Sequence, residues 1–119
     1  MLKVYEYAKC STCVKALKFL DGKKVKYEKL PIVENIPSLK ELKEMLAALE
    51  KNGGSIRNLF NTSGVVYKEM KLSEKLPSMT DSEALKLLAA NGKLIKRPFV
   101  ISDKVHLVGF KEDDWKKVF

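Results

Sequence analysis

The sequence predicts an α/β fold in which strand-rich segments at both ends of the chain enclose a helical middle. Three observations predict it: a strand–helix–strand pattern at the start, a strand pair followed by a helix at the end, and two helix-capping boxes between them. With 119 residues and no repeat, linker or low-complexity tract, the chain is expected to form one domain, 1–119, with a helical insert at about 38–92.

The first unit is predicted from the spacing of apolar residues. Alternation predicts a strand over 2–7, and a second strand pattern covers 25–32. Between them, helical spacing predicts a helix over 12–20 that ends at Asp21-Gly22. Its apolar stripe consists of Cys13, Leu17 and Leu20.

The helical middle is predicted from its capping signals. Ser38 and Glu41 form a capping box that opens a helix, and the Asn-Gly-Gly sequence at 52–54 ends it. A short helix is expected over 56–60. Thr80 and Glu83 form a second capping box, whose helix stops at 91–92.

The C-terminal unit begins with two short strand patterns. They cover 98–101 and 105–108 and flank the polar turn 102–104, which predicts a hairpin. A last helix is expected over 111–118. In this unit, His106 is expected to be an exposed or half-buried strand residue and Trp115 to belong to the core or a partner surface.

The two cysteines of the chain form the motif Cys10-Ser11-Thr12-Cys13 at the start of the first helix. The unpaired N–H groups and the positive dipole end of a helix N-terminus favour a thiolate, so Cys10 is the expected reactive thiol. Cys13 lies one turn later and can form a disulfide with it. Ser11 and Thr12 are predicted to cap the helix, and the Thr12 hydroxyl can also donate to the thiolate.

Three other uses of the cysteine pair fit the sequence less well. A zinc site needs four ligands, whereas two cysteines and His106 supply three. A structural disulfide suits secreted proteins, but the chain shows no signal-peptide core and no apolar run of membrane-spanning length, so a reducing, cytoplasmic location without membrane contact is expected. Two buried cysteines acting as small hydrophobic residues would fit poorly with the polar Ser11 and Thr12 between them.

The net charge of +8 is spread along the chain. The densest basic clusters, 23–26 and 93–97, lack the interleaved aromatic residues that single-stranded nucleic-acid binding uses. We therefore expect most lysines to form solvated faces, with no direct binding of nucleic acid.

Several motifs resemble those of the ArsC/Spx family, whose fold is thioredoxin-like. The resemblance runs nearly from end to end of the chain. It covers the Cys-x-x-Cys after the first strand, Ile56-Arg57-Asn58-Leu59-Phe60-Asn61-Thr62-Ser63-Gly64-x-x-Tyr67-Lys68-Glu69, Lys96-Arg97-Pro98-Phe99-Val100, and Val108-Gly109-Phe110-Lys111-Glu112. It implies that Pro98, which opens the third strand, follows a cis peptide bond and faces the active cysteine.

Arsenate reductases of this family use one nucleophilic cysteine and three arginines around the oxyanion. The resemblance matches Cys10 to the nucleophile and Arg97 to one arginine, whereas Asn61 and Gly109 occupy the other two positions. Val14 stands where relatives often have an arginine. A carboxamide and a glycine replace charge-assisted hydrogen bonds poorly, so arsenate is expected to be a poor substrate. Arg57 could compensate in part, or could be a cation on the surface of the insert.

The second class in the family comprises Spx-like transcriptional regulators. In these proteins the Cys-x-x-Cys is an oxidation switch, and the protein binds the C-terminal domain of the RNA polymerase α-subunit. The cysteine pair fits this class, and Gly53 or Gly54 falls near the glycine that meets polymerase. The Asn61-Thr62-Ser63-Gly64 segment instead resembles the reductase-like branch.

The sequence is therefore interpreted as a cytoplasmic thiol–disulfide oxidoreductase of the arsenate-reductase-like branch. Cys10 attacks, Cys13 resolves the mixed disulfide, and Lys9 or Arg97 favours the thiolate. Thr12, Pro98 and Asn61 are supporting residues implied by the pattern. No bound cofactor or metal is expected, and electrons would come from glutathione and glutaredoxin or from thioredoxin. The alternatives are a redox-sensing partner of RNA polymerase and a binding module without redox activity.

Overall fold

A computed structural model describes all residues from Met1 to Phe119. The elements, in chain order, are β1 (Leu2–Glu6), α1 (Ser11–Gly22), β2 (Tyr27–Pro31), α2 (Leu39–Lys51), α3 (Val65–Glu69), α4 (Leu72–Lys75), α5 (Asp81–Ala90), β3 (Phe99–Ile101), β4 (His106–Val108) and α6 (Glu112–Val118). Single 3₁₀ turns cover Ile56–Leu59, Leu76–Ser78 and Gly92–Leu94. The strand–helix–strand start and the strand–strand–helix end are both present, so the predicted thioredoxin-like α/β class is confirmed.

The four strands form one mixed sheet in the order β2-β1-β3-β4. β1 is parallel to β2, from Leu2 opposite Tyr27 to Glu6 opposite Pro31. It is antiparallel to β3, and β3 is antiparallel to β4. A parallel neighbour requires a crossover connection, which α1 supplies. The Cys10 motif therefore follows the carboxyl end of an inner strand.

Each face of the sheet has its own hydrophobic cluster because side chains alternate along a strand. Leu2 and Val4 of β1 belong to a small cluster with Trp115 of α6, and this cluster includes the buried Ala16 and Leu20 of α1. Tyr5, on the opposite face, belongs to the larger cluster, which also contains the buried residues of α2 and α5. The sheet is thus covered by α1 and α6 on one side and by the insert on the other.

The two predicted capping boxes are present. Ser38 accepts a hydrogen bond from the Glu41 backbone N–H at 3.1 Å, and the Glu41 carboxylate accepts one from the Ser38 backbone N–H at 3.0 Å. Thr80 and Glu83 make the same pair of bonds at the start of α5. Each box satisfies N–H groups that the first helical turn would otherwise leave without partners.

The predicted end of α1 at Asp21-Gly22 is confirmed, but the turn that follows it is made by another residue. Gly22 is the last helical residue, and the left-handed residue that ends the helix is Lys24, with φ 57°. The Val25 N–H donates to the Leu20 carbonyl at 3.0 Å and the Lys24 N–H to the Asp21 carbonyl at 3.1 Å, which is a Schellman motif. The buried stripe also differs: it contains Ala16 in place of the predicted Leu17, which is only partly buried.

The sequence did not predict α3 and α4. Gly64 begins α3 without a side-chain cap, and α4 begins after Lys71, whose φ is 53°. Neither start carries the capping pattern that identified α2 and α5, and each helix is too short to show apolar periodicity. None of the helices combines the length and the apolarity needed to cross a membrane.

Candidate redox site

Cys10 is itself the N-cap residue of α1. Its backbone is extended, with φ −91° and ψ 116°, and its carbonyl accepts the first helical hydrogen bond from Val14 at 3.1 Å. Its N–H donates to the Tyr7 carbonyl at 2.9 Å, which closes the turn that follows β1. Because the N-cap faces the open N–H groups and the positive end of the helix dipole, a negative charge on the Cys10 sulfur is stabilised there.

The surroundings of Cys10 favour its thiolate. Partial burial raises the pKa of the thiol, but hydrogen bonds from the backbone N–H and the thiol of Cys13, from the Arg97 side chain and from the backbone N–H of Thr12 outweigh it. The net effect is a lowered pKa for Cys10. The thiol is partly exposed, so the anion remains accessible to a reactant.

Cys13 has the opposite character. It is fully buried, and burial raises its pKa to about 12, assisted by the hydrogen bond with Cys10 and by the charge of Cys10. The Tyr7 backbone N–H and the Arg97 charge oppose this rise but do not cancel it. The pair therefore combines a Cys10 thiol that ionises more readily than an ordinary cysteine with a Cys13 thiol that stays protonated at neutral pH and donates to the Cys10 sulfur.

Arg97 lies close enough to both cysteines to act on them. A hydrogen bond from its side chain lowers the pKa of Cys10, and its charge works against the raised pKa of Cys13. Its guanidinium carbon lies 4.6 Å from the centroid of the Tyr7 ring. Its Nε atom is buried and has no hydrogen-bond partner. The structure thus brings together the three residues predicted to carry the chemistry, and it places Arg97, not Lys9, among the groups that lower the pKa of Cys10.

The predicted capping by Ser11 and Thr12 is wrong. Both residues lie inside α1, since Cys10 occupies the N-cap, and no side chain caps this helix. Thr12 acts on the Cys10 sulfur through its backbone N–H, not through its hydroxyl. Because Cys10 occupies the N-cap position, Ser11 and Thr12 fall within the helix and cannot cap it.

Pro98 directly follows Arg97, and Asn61 is bonded to the segment that precedes Arg97. The Arg97–Pro98 peptide bond is cis, as the family resemblance implied, and the Pro98 carbonyl accepts a hydrogen bond from the Gly109 N–H at 2.9 Å. Asn61 is held through its backbone N–H, which donates to the Leu94 carbonyl at 2.8 Å. The Asn61 side chain lies against Gly64 in its own loop.

Gly109 has φ 75°, a conformation that a residue with a side chain rarely adopts. A Cβ atom at this position would lie 2.9 Å from the Cε atom of Lys96. The position matched to a third arginine is therefore restricted mainly by its backbone conformation, because the flexible end of the Lys96 side chain can move aside.

The remaining residues considered from the sequence lie outside the cysteine pair. Arg57 is exposed and lines a small cavity in the insert with Tyr67 and Pro77. His106 is a half-buried strand residue, as predicted, with its Nε2 atom 3.9 Å from a Glu44 carboxylate oxygen. Trp115 is a core residue that donates from Nε1 to the Gly109 carbonyl at 3.3 Å.

Sequence reasoning missed Tyr7, which contacts the site through its ring and its backbone. Its carbonyl binds the Cys10 N–H, its N–H stabilises the Cys13 thiolate form, and its ring lies under Arg97. The sequence gives only one signal for it, an aromatic residue three positions before Cys10. Its partner, Arg97, follows 90 positions later and has no periodic relation to it.

Comparison with known proteins identifies close relatives of the whole chain. The model of the ArsC family matches residues 5–118. YusI of Bacillus subtilis, an uncharacterized protein, is 44% identical over 116 residues, which cover 98% of this chain and 96% of YusI. The global transcriptional regulator Spx of Listeria innocua is 28% identical over 117 residues, covering 98% of this chain and 86% of Spx.

Solved structures give the same relationship. A putative ArsC family related protein from Bacteroides fragilis superimposes with a TM-score of 0.91 at 46% identity, over 99% of this chain and 97% of that one. A possible arsenate reductase from Streptococcus mutans superimposes with a TM-score of 0.85 at 36% identity, over 98% of each chain.

Proposed function

The chain belongs to the ArsC family, and on that premise we propose that it is a thiol–disulfide oxidoreductase of the arsenate-reductase-like branch. Cys10 is the nucleophile, Cys13 is the resolving thiol, and Arg97 stabilises the Cys10 thiolate. The observation that carries the proposal is the opposite pKa shift of two thiols on one helical turn: Cys10 is lowered and partly exposed, whereas Cys13 is raised to about 12 and buried.

In the first step, the Cys10 thiolate attacks one sulfur of a substrate disulfide. A bond forms between the Cys10 sulfur and that sulfur, the substrate S–S bond breaks, and the other half of the substrate leaves as a thiolate that takes a proton from water. Only a thiolate performs this attack, so the lowered pKa of Cys10 raises the reactive fraction at neutral pH.

In the second step, Cys13 loses its proton and its sulfur attacks Cys10. The S–S bond between Cys10 and the substrate breaks, the intramolecular disulfide forms, and the second half of the substrate leaves as a thiolate that takes a proton from water. The first step prepares Cys13 for this attack, because a Cys10 sulfur in a disulfide no longer carries the charge that raises the pKa of Cys13. The Tyr7 N–H and the Arg97 charge, which lower that pKa, stay in place.

Over the two steps the substrate disulfide is reduced to two thiols and the cysteine pair is oxidised by two electrons. A pair of thiols, supplied either by two glutathione molecules with glutaredoxin or by thioredoxin, returns two electrons and two protons. A reducing, cytoplasmic location fits this cycle, because the pair must be reduced again after each turnover.

The test is alkylation with iodoacetamide as a function of pH, followed by mass-spectrometric mapping of the labelled peptide. We expect Cys10 to label with an apparent pKa below the ordinary cysteine value of about 8.5 and Cys13 to stay unlabelled. With glutathione disulfide, Cys13→Ser should accumulate a mixed disulfide at Cys10, whereas Cys10→Ser should form none. Faster labelling of Cys13 would mean that the roles are assigned wrongly.

The second candidate is a redox-sensing regulator that binds the C-terminal domain of the RNA polymerase α-subunit. Its support is the 28% identity to the global transcriptional regulator Spx of Listeria innocua and the presence of both cysteines. The glycine turn that would meet polymerase follows α2, where Gly53 is exposed and has φ 84°.

A further inference from the structure

We propose that Tyr7 is a positioning residue, whose ring holds the guanidinium of Arg97 beside the sulfur of Cys10. The inference rests on the proposed function, since it assigns the group that orients the stabilising cation of that site. Tyr7 would touch neither the substrate nor the reacting sulfur with its ring, and it would act through Arg97.

The first support is the packing of the two side chains. The Arg97 guanidinium carbon lies 4.6 Å from the Tyr7 ring centroid, within the range of an attractive cation–π contact. Arg97 makes no salt bridge, and its buried Nε atom has no hydrogen-bond partner. Besides its hydrogen bond to Cys10, Arg97 has no carboxylate partner to hold it, so the Tyr7 ring is the further contact that restricts its rotamers.

The second support is the rigidity of Tyr7 itself. Its carbonyl accepts a hydrogen bond from the Cys10 N–H at 2.9 Å, and its own N–H is directed to the Cys13 sulfur. Tyr7 also packs against the large hydrophobic cluster on the insert side of the sheet. The Tyr7 main chain is therefore fixed relative to both cysteines, and the packing of its side chain against the cluster restricts the ring.

The third support is the sparse charge around the cysteines. Arg97 is the one cationic side chain among the leading groups that set the pKa of Cys10 and of Cys13. The positions matched to two further arginines hold Asn61 and Gly109. With a single cation, the orientation of that cation determines how much the thiolate is stabilised.

The test is a double-mutant cycle between Tyr7 and Arg97, read as the pKa of Cys10 from thiolate absorbance in a Cys13→Ser background. We expect Tyr7→Leu to raise this pKa and to slow alkylation at pH 7 by about threefold, the loss expected for one cation–π contact. Tyr7→Phe keeps the ring and should retain the pKa. In an Arg97→Gln background, Tyr7→Leu should have no further effect.

Tyr27→Leu is the matched control, because Tyr27 lies on β2 with its hydroxyl bonded to Asp21 and should leave the Cys10 pKa unchanged. An equal effect of Tyr7→Leu with and without Arg97 would overturn the proposal, as would no effect at all. These results are separate from the proposed function, which fails if Cys10 of the unmodified protein is itself unreactive.

A second measurement avoids the risk that Tyr7→Leu folds poorly. In the unmodified protein, the ring current of Tyr7 should shift the Arg97 Nε–H resonance upfield of its position in an unstructured peptide. Tyr7→Phe should preserve that shift. An Arg97 resonance at the unstructured position would mean that the two side chains do not stack in solution, and the proposal would be wrong.

Discussion

The hydroxyl of Tyr5 donates a 2.8 Å hydrogen bond to the Oε1 atom of Glu41 and thereby joins β1 to the start of α2. The same carboxylate accepts from the Ser38 N–H in the capping box, and its Oε2 atom lies 3.4 Å from the Nζ atom of Lys3. One ionised side chain therefore links the sheet, the helix start and a surface cation, on the face of the sheet that packs against the insert.

Because of this carboxylate, the free energy of unfolding should depend on pH in the acidic range. Partial burial raises the pKa of Glu41, but the Ser38 N–H, the Tyr5 hydroxyl and Lys3 lower it more, so the folded-state pKa is below its usual value. A lowered folded-state pKa means that the carboxylate adds stability above the unfolded value of about 4.3, and that this stability is lost as pH falls through the folded-state pKa.

We therefore expect the free energy of unfolding to fall less steeply below pH 5 in Glu41→Gln than in the unmodified protein, because glutamine keeps the acceptor without the titration. Urea unfolding at a series of pH values measures this. Glu50→Gln, at an exposed position of the same helix, should keep the original slope. Parallel curves for Glu41→Gln and the unmodified protein would contradict the expected role of Glu41.

Replacing Gly92 and Gly22 by alanine should change the free energy of unfolding in opposite directions. A Cβ atom at Gly92 would overlap the backbone carbonyl of Ile32, whereas nothing lies within 4 Å of one at Gly22. Gly92→Ala should lower the free energy of unfolding by about 2 kcal/mol, as overpacking does. Gly22→Ala, at the end of α1, should raise it by ~0.5 kcal/mol. Thermal unfolding of both variants checks the pair, and a neutral Gly92→Ala would disprove the close approach.

Replacing Lys24 by glycine should stabilise the protein. It ends α1 with φ 57°, which costs a residue with a side chain about 1 kcal/mol. Lys24→Gly should therefore raise the unfolding midpoint, even though glycine gains freedom in the unfolded chain. Lys26→Gly, two residues later at an exposed position outside the left-handed region, should lower it. A destabilised Lys24→Gly would show that the left-handed conformation carries no strain.

Arsenate turnover should be weak. Asn61 and Gly109 stand where the family resemblance implies arginines, which leaves Arg97 as the single matched cation. With glutathione and glutaredoxin, Asn61→Arg should raise arsenate turnover by about tenfold, the value of one charge-assisted hydrogen bond. Asn61→Gln is the uncharged control. Adding Gly109→Arg should help less, because of its φ of 75° and the adjacent Lys96. Rapid turnover by the unmodified protein would refute the argument.

Binding to RNA polymerase separates the oxidoreductase from the regulator. A redox switch requires different affinities of the dithiol and disulfide forms, and we expect no tight complex with either form, because 61–64 resembles the reductase-like branch. Pull-down with the isolated C-terminal domain of the polymerase α-subunit measures this. If a complex forms and dithiothreitol dissolves it, the regulator is the better assignment. Gly53→Arg should then abolish docking, whereas Gly53→Asn, which tolerates φ 84°, should preserve it.

The sequence predicted most of the fold because its signals are local. Ser38 with Glu41 and Thr80 with Glu83 marked the starts of α2 and α5, and the bonds that they predict are present. Gly22 marked the end of α1 correctly, but it did not indicate which residue adopts the left-handed conformation. That residue is Lys24, because the Schellman hydrogen bonds of Lys24 and Val25 fix the turn two residues after Gly22.

The sequence predicted those residues of the site that lie in one segment or that match a motif of the family. Cys10 and Cys13 share a turn of helix, so their spacing alone indicated a redox pair, and the resemblance supplied Arg97. The contact of Arg97 with Tyr7 joins two distant segments through the fold, and no local pattern encodes it. The same holds for Lys96 over Gly109, which depends on how β3 and β4 meet.

Trp115 is the single tryptophan of the chain, and it is 1% exposed. Its ring centroid lies 6.0 Å from that of Phe19, which belongs to α1, the helix whose N-cap is Cys10. All indole fluorescence therefore arises from one buried site against α1, and its emission maximum should lie to the blue of that of a solvated tryptophan. The molecule thus contains its own optical probe, which can follow any displacement of α1 on oxidation or alkylation without an added label.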